Sequence, residues 1–184
     1  MKVGAIIFSR MSSSRLPGKA FKDVSGKFLL ERVIDRTIKV NLVDHICLAT
    51  STNSEDDKIV EYAKYKGLEV FRGSLDDVAK RAFDASKYYN YSSFLRVCAD
   101  RPFLDPSIYD EMIKIHNEFL LKKIRSKMLL QVHDELVFEC PEDEVKKVSK
   151  IIKVEMETAH LPICELNVPV IVDFGEATNW SAAH

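Results

Sequence analysis

Residues 3–27 read VGAIIFSRMSSSRLPGKAFKDVSGK, and the fold follows from how this stretch begins. Val3 to Phe8 is an unbroken apolar run, too short for a helix and bounded by small polar residues, which predicts a fully buried strand. Beyond it lies a loop rich in compact residues, Ser9, Ser12, Ser13, Ser14 and Gly18, which let backbone amides approach an anion. Arg10, Arg15 and Lys19 add three cations within ten residues. Such a composition suits a phosphate cradle and equally a solvated basic loop, and charge alone does not separate the two.

Downstream, residues 28–40 carry Leu29, Leu30, Val33, Ile34 and Ile38 at helical spacing. His45 to Ala49 (HICLA) is a second strand that ends in a polar cluster, Thr50 to Asn53. Residues 55–66 are an amphipathic helix stopped by Gly67, and residues 68–71 a third strand. A helix over 78–89 follows, with Asp76 and Asp77 as its caps. The rhythm predicts a Rossmann-like parallel α/β sheet, whose ligands lie beyond the carboxyl ends of the strands. Thr50 to Asn53 fall at such an end, as a ligand-facing loop or as a helix cap through Asn53 or Ser54.

A fourth strand, FLRVCA over 94–99, delivers Asp100 at its end, followed by Arg101 and Pro102. A carboxylate there, facing an anion-binding loop, suits Mg²⁺, a hard cation that shares oxygen ligands with phosphates. Arg101 places a cation beside that proposed ligand.

The run SRMSSSRLPGKAFKDVSGKFLLERVIDR resembles the opening signature of the sugar-activating cytidylyltransferases, of the spore-coat polysaccharide and CMP-octulosonate synthetase types. LATSTNSEDDKIVEYAKYKGLEVFRGSLDDVAKRAFDASKYY resembles their next two units, FRGSLDDV being the most recognisable piece. The resemblance implies that Arg10 and Lys19 neutralise the triphosphate of CTP, with Ser13 near the nucleotide and Arg15 a further candidate. It places Ser51 and Asn53 near the base or ribose, and makes Asp100 a Mg²⁺ ligand. The spore-coat pattern has Gly where this chain has Ser12, a backbone position that in the family favours positive φ.

After the helix over 105–121, with Ile108, Met112, Ile115 and Phe119 on one face, the likeness changes. Residues from about 117 onward resemble the carboxyl-terminal palm segment of family A DNA polymerases: QVHDELVFE matches their third palm motif and VPVIVDFGEATNWSAAH their final strand. That resemblance makes Asp134 a second, weaker metal candidate, with His133 and Glu135 beside it. A solvated acidic turn has the same composition. The segment predicts a hairpin, a helix over 142–158 with Val145, Val148, Ile151, Ile152 and Met156 inward, and a last strand over 168–174. The chain thus reads as a chimera of a nucleotide-binding half, 1–116, and a palm-like segment, 117–184, packed as one compact unit.

Its 184 residues can bury a substantial core, and a net charge of -1 gives no global pull toward nucleic acid or membrane. Lys122, Lys123, Arg125 and Lys127 form a local basic cluster, followed by the acidic residues 142–144. Cys47, Cys98, Cys140 and Cys164 show neither zinc spacing nor a disulfide framework, and a cytoplasmic protein with reduced thiols is expected. Three functions follow: a Mg²⁺- and CTP-dependent transferase acting on an acidic or phosphorylated sugar, with a homodimer implied by the family; a nucleotide-binding module without chemistry; or a recombinant fold without ligand. Nucleic-acid binding by a palm remnant is a fourth.

Overall fold

A computed structural model describes residues 2–13, 16–132, 135–159, 161 and 167–183, the side chains of 130–132 and 180 excepted. The candidates Arg15 and Asp134, with Ser14, His133 and Cys164, lie outside the described residues. The chain divides into two compact units, Met1–Pro106 and Ser107–His184.

In the first unit the elements are β1 (Val3–Phe8), the short strands β2 (Asp23–Val24) and β3 (Lys27–Phe28), α1 (Leu29–Thr37), β4 (His45–Ser51), α2 (Asp57–Tyr65), β5 (Glu69–Gly73), α3 (Val78–Tyr88) and β6 (Ser93–Cys98). Four strands form one parallel sheet in the order β5-β4-β1-β6. Every residue of β1 is buried, as its continuous apolar run requires of a central parallel strand. Ile6 and Phe8 pack with Cys47 and Ala49 under Ala82, Ala85 and Tyr89 of the α3 region. Ala5 and Ile7 alternate to the other face, and Leu30, Val33, Ile34 and Ile59 of α1 and α2 are fully buried. Asp77 caps α3, accepting the Lys80 backbone N–H at 2.7 Å.

The antiparallel pair β2–β3, tightened by positive φ at Ser25 and Gly26, is too short to leave a periodic signal in the sequence. Among the described non-glycine residues only Ser25, Asn90 and Lys123 take positive φ. Ser12 does not, so serine in place of glycine carries no backbone strain there.

The second unit holds α4 (Pro106–Leu121), the antiparallel hairpin β7 (Lys127–Val132) and β8 (Glu135–Glu139), α5 (Val145–Glu157) and α6 (Trp180–Ala183). Ile115 and Phe119 pack with Val148, Ile151 and Ile152, and Met128, Leu136 and Phe138 of the hairpin join them. The buried stripe of α4 runs through Ile113, Ile115 and Phe119, whereas Ile108, expected inward, is exposed. The strand expected over 168–174 does not form: residues 169–177 are irregular, and Val168, Val170, Ile171 and Phe174 are exposed. A strand needs a ladder partner, and among the described residues none of the three sheets extends to this segment, whose Pro169 has no N–H to offer. No helix of the described residues is long and apolar enough to cross a membrane.

Candidate functional site

β4 and β5 extend the sheet on one side of β1 and β6 lies on the other, so the chain, having wound outward from β1 to β5, crosses back to the far side of β1. In a parallel sheet this switch point opens a crevice at the carboxyl ends. The Ala99 N–H donates to the Phe8 carbonyl at 3.1 Å, fixing the start of the basic loop beside the residue that precedes Asp100.

The loop closes on the Met11 carbonyl, which accepts the N–H groups of Ser13 at 2.9 Å and Gly18 at 3.0 Å. Gly18, with φ 67°, turns the chain into a short 3-10 segment, Lys19–Phe21. That turn aims Lys19 across the crevice, where its Nζ lies 2.5 Å from Asp100 Oδ2. The pair is partly open, with 31% and 45% of the two side chains exposed. The ammonium holds the Asp100 carboxyl below its usual range; burial opposes this and the charge of Arg101 adds to it. Arg10 is exposed at the same end of β1. Ser13 is half-buried, and its hydroxyl accepts the Leu16 N–H at 3.4 Å. The amides of Ser13 and Gly18 therefore serve the loop itself.

The neighbouring loop, after β4, is fixed by two groups that sequence reasoning passed over. Asp56, 1% exposed, accepts the N–H of Met11 at 2.7 Å and the N–H of Ser51 at 3.1 Å, and also the Ser51 hydroxyl. Arg72 donates to the carbonyls of Ser51 at 2.9 Å and Asn53 at 2.8 Å, and its Nη1 lies 2.6 Å from Asp57. Ser51 is buried and its hydroxyl is committed to Asp56, while Asn53 is exposed. Neither Asn53 nor Ser54 makes the side-chain cap expected of it; the Asn53 backbone carbonyl accepts the Asp56 N–H at 3.0 Å instead. An aspartate within an acidic run, SEDD, looks like helix-start charge, which hid its use as a buried clamp.

Among the described residues no group of three or more His, Cys, Asp or Glu is placed to hold a metal ion. Mg²⁺ is commonly held by one or two carboxylates together with substrate phosphates, so a lone Asp100 fits an ion shared with a nucleotide, not a cage made by the protein. In the second unit two of the four residues of the basic cluster are paired: Arg125 with Asp143 and Glu144, and Lys122 with Glu118 at 2.6 Å.

A family model described as cytidylyltransferase matches residues 4–149. The spore coat polysaccharide biosynthesis protein SpsF of Bacillus subtilis is 33% identical over 115 residues, 60% of this chain and 48% of that protein. A cytidylyltransferase from Leptospira borgpetersenii serovar Hardjo-bovis superposes with a TM-score of 0.64 at 29% identity, covering 89% of this chain and 70% of that one. DNA polymerase I of Borreliella burgdorferi is 44% identical over 73 residues, 40% of this chain and 8% of the polymerase. The chain spans about half the length of the curated relatives that match its cytidylyltransferase part. With a parallel sheet of this order, a basic loop after its first strand and a family match over most of its length, the chain belongs to the cytidylyltransferase family.

Proposed function

We propose that the chain is a CTP-dependent cytidylyltransferase that activates an acidic or phosphorylated sugar in the cytoplasm. The observation that carries this reading is the contact of Lys19 with Asp100 across the switch point, a cation and a carboxylate where a triphosphate and a divalent ion are handled together. Arg10 and Lys19 neutralise the triphosphate, with Ser13 and Arg15 near the nucleotide. Asn53 lies toward the base or ribose, and Ser51 supports that loop through Asp56. Asp100 would hold Mg²⁺, which would supply charge neutralisation when a sugar hydroxyl bonds to the α-phosphorus and pyrophosphate leaves.

Residues 1–116 serve as the nucleotide-binding half, and the remainder as a polymerase-palm-like segment joined within α4; the similarity to DNA polymerase I supports the second part. A second reading, nucleotide binding without turnover, draws support from the same contact: Lys19 occupies the carboxylate an ion would need. Thermal-shift and calorimetric titration with CTP and Mg²⁺ tests both. Binding that is lost in Lys19→Ala supports the nucleotide site, and pyrophosphate release over a panel of sugar acids and sugar phosphates separates the transferase from the binding module. No CTP binding by the unaltered chain sinks both.

A further inference from the structure

Apart from the cradle, the first unit gathers guanidinium groups around one aromatic ring. The Arg81 guanidinium lies 5.6 Å from the centroid of the Phe8 ring and that of Arg96 lies 6.0 Å from it. Arg96 stands opposite Ile6 in the β1–β6 register, so it shares the sheet face of Ile6 and Phe8. Arg81 reaches the same face from α3 and is 2% exposed. Its Nη1 donates to the carbonyls of Ser74 at 2.5 Å and Leu75 at 3.5 Å, and its buried Nε has no partner among the described residues. Among the described residues no carboxylate forms an ion pair with Arg81, Arg96 or Arg10. Burial, and then the charge of Arg10, push the Arg81 guanidinium down from its ordinary value, with Asp56 acting weakly the other way.

A guanidinium taken out of water without a carboxylate is costly, and two carbonyl acceptors and a ring face replace little of its hydration. Arg96, exposed beside it, concentrates further positive charge instead of relieving it. The species this arrangement lacks is an oxyanion, whose planar or tetrahedral oxygens match guanidinium forks, and whose attraction is strengthened beside an apolar ring. Phe8 directly precedes Ser9 and Arg10, so the cluster sits on the flank of the crevice and not within the Gly18–Lys19 turn.

We propose that Arg81 and Arg96, gathered over the Phe8 ring, form a second oxyanion site that receives the carboxylate or phosphate of the acceptor sugar. The identity of the anion's bearer rests on the transferase reading above; the existence of the site does not.

The test titrates the full chain with inorganic phosphate, acetate and CTP separately, in the unaltered protein, Arg96→Gln, Arg81→Lys and Lys19→Ala. Arg96 is exposed, so its variant folds. Arg96→Gln and Arg81→Lys are expected to weaken phosphate about tenfold and CTP less than about twofold, the loss of a charge-assisted hydrogen bond at one ligand only. Lys19→Ala is expected to do the reverse. Acetate following phosphate through the variants marks a site that accepts a sugar carboxylate, and acetate flat in all marks one restricted to phosphate. Phosphate binding untouched by Arg96→Gln, or phosphate and CTP weakened equally, overturns the proposal. A chain that shows the phosphate pattern but binds no CTP keeps the oxyanion site and loses the transferase.

Discussion

The carboxylate of Asp56 receives the backbone N–H of Met11, forty-five residues earlier in the chain, at 2.7 Å. Its second oxygen receives the Ser51 N–H at 3.1 Å, so one buried side chain ties the loop after β1 to the loop after β4. Burial by itself would raise this carboxyl, but donation from the Ser51 hydroxyl and the Met11 and Ser51 amides outweighs it and holds the group below its ordinary value.

Asp56→Asn keeps the shape and loses acceptor capacity, leaving one of three donors facing an amide N–H₂. A destabilisation of about 1–3 kcal/mol is expected at neutral pH. Because the folded group is depressed, its contribution is complete above the ordinary aspartate range and fades as pH falls through the folded value. Denaturant midpoints of the two proteins should therefore converge in acid, and a gap independent of pH would refute the role of the charge.

The Lys19–Asp100 pair calls for the opposite expectation. With 31% and 45% exposure it is an ion pair open to water, worth less than about 1 kcal/mol. Asp100→Asn should shift Tm by no more than about 2–4 °C while removing the Mg²⁺ dependence of CTP binding. A large loss of Tm with ligand response intact would make the pair structural.

Gly4 has a steric reason to be glycine. A Cβ built there would lie 2.4–2.5 Å from the Tyr91 ring. That ring cannot swing away freely, since its hydroxyl hydrogen-bonds His45 Nδ1, its face stacks on Tyr89 at a centroid distance of 5.6 Å and the Lys2 ammonium lies 5.4 Å from its centre. Gly4→Ala should cost about 1–3 kcal/mol by overpacking. Adding Tyr91→Leu should recover part of that cost, and strict additivity of the two changes in urea unfolding would exclude the clash.

The four parallel strands were legible because each carries its own apolar run, from VGAIIF to FLRV, between turn signals, but their spatial order β5-β4-β1-β6 was not, since it depends on which way each crossover turns. Lys19 and Asp100 were legible as candidates because one lies in the basic loop after the first strand and the other ends the fourth, both at the carboxyl edge where parallel sheets hold ligands. What escaped reading was held by pairs distant in sequence. Asp56 gives no sign that Met11 needs its oxygen, Arg81 reads as one more charge on an amphipathic helix, and β2–β3 is two residues deep. In the last segment the opposite error arose: VPVIVDF has strand composition, but alternation cannot supply the neighbour a strand must bond to.

In the second unit Glu111 provides a pH signature free of the first unit's chemistry. It is 4% exposed on α4, and its Oε2 lies 3.2 Å from Lys114 Nζ. Burial, and then a hydrogen bond with Glu155, push the Glu111 carboxyl up to about 7, with Lys114 pulling the other way. A carboxyl raised in the folded state binds its proton where the unfolded chain has released it. Its cost is therefore absent in acid, grows as pH climbs from the ordinary glutamate range and is complete above about 7. Glu111→Gln cannot ionise, so it should stabilise this unit at pH about 8, by on the order of 3 kcal/mol at most, and should make little difference at pH about 4. Hydrogen exchange of the α4 and α5 amides against pH reads this locally: protection should decline toward alkaline pH in the unaltered chain and stay level in the variant. Parallel profiles would mean that Glu111 and Glu155 do not share a proton.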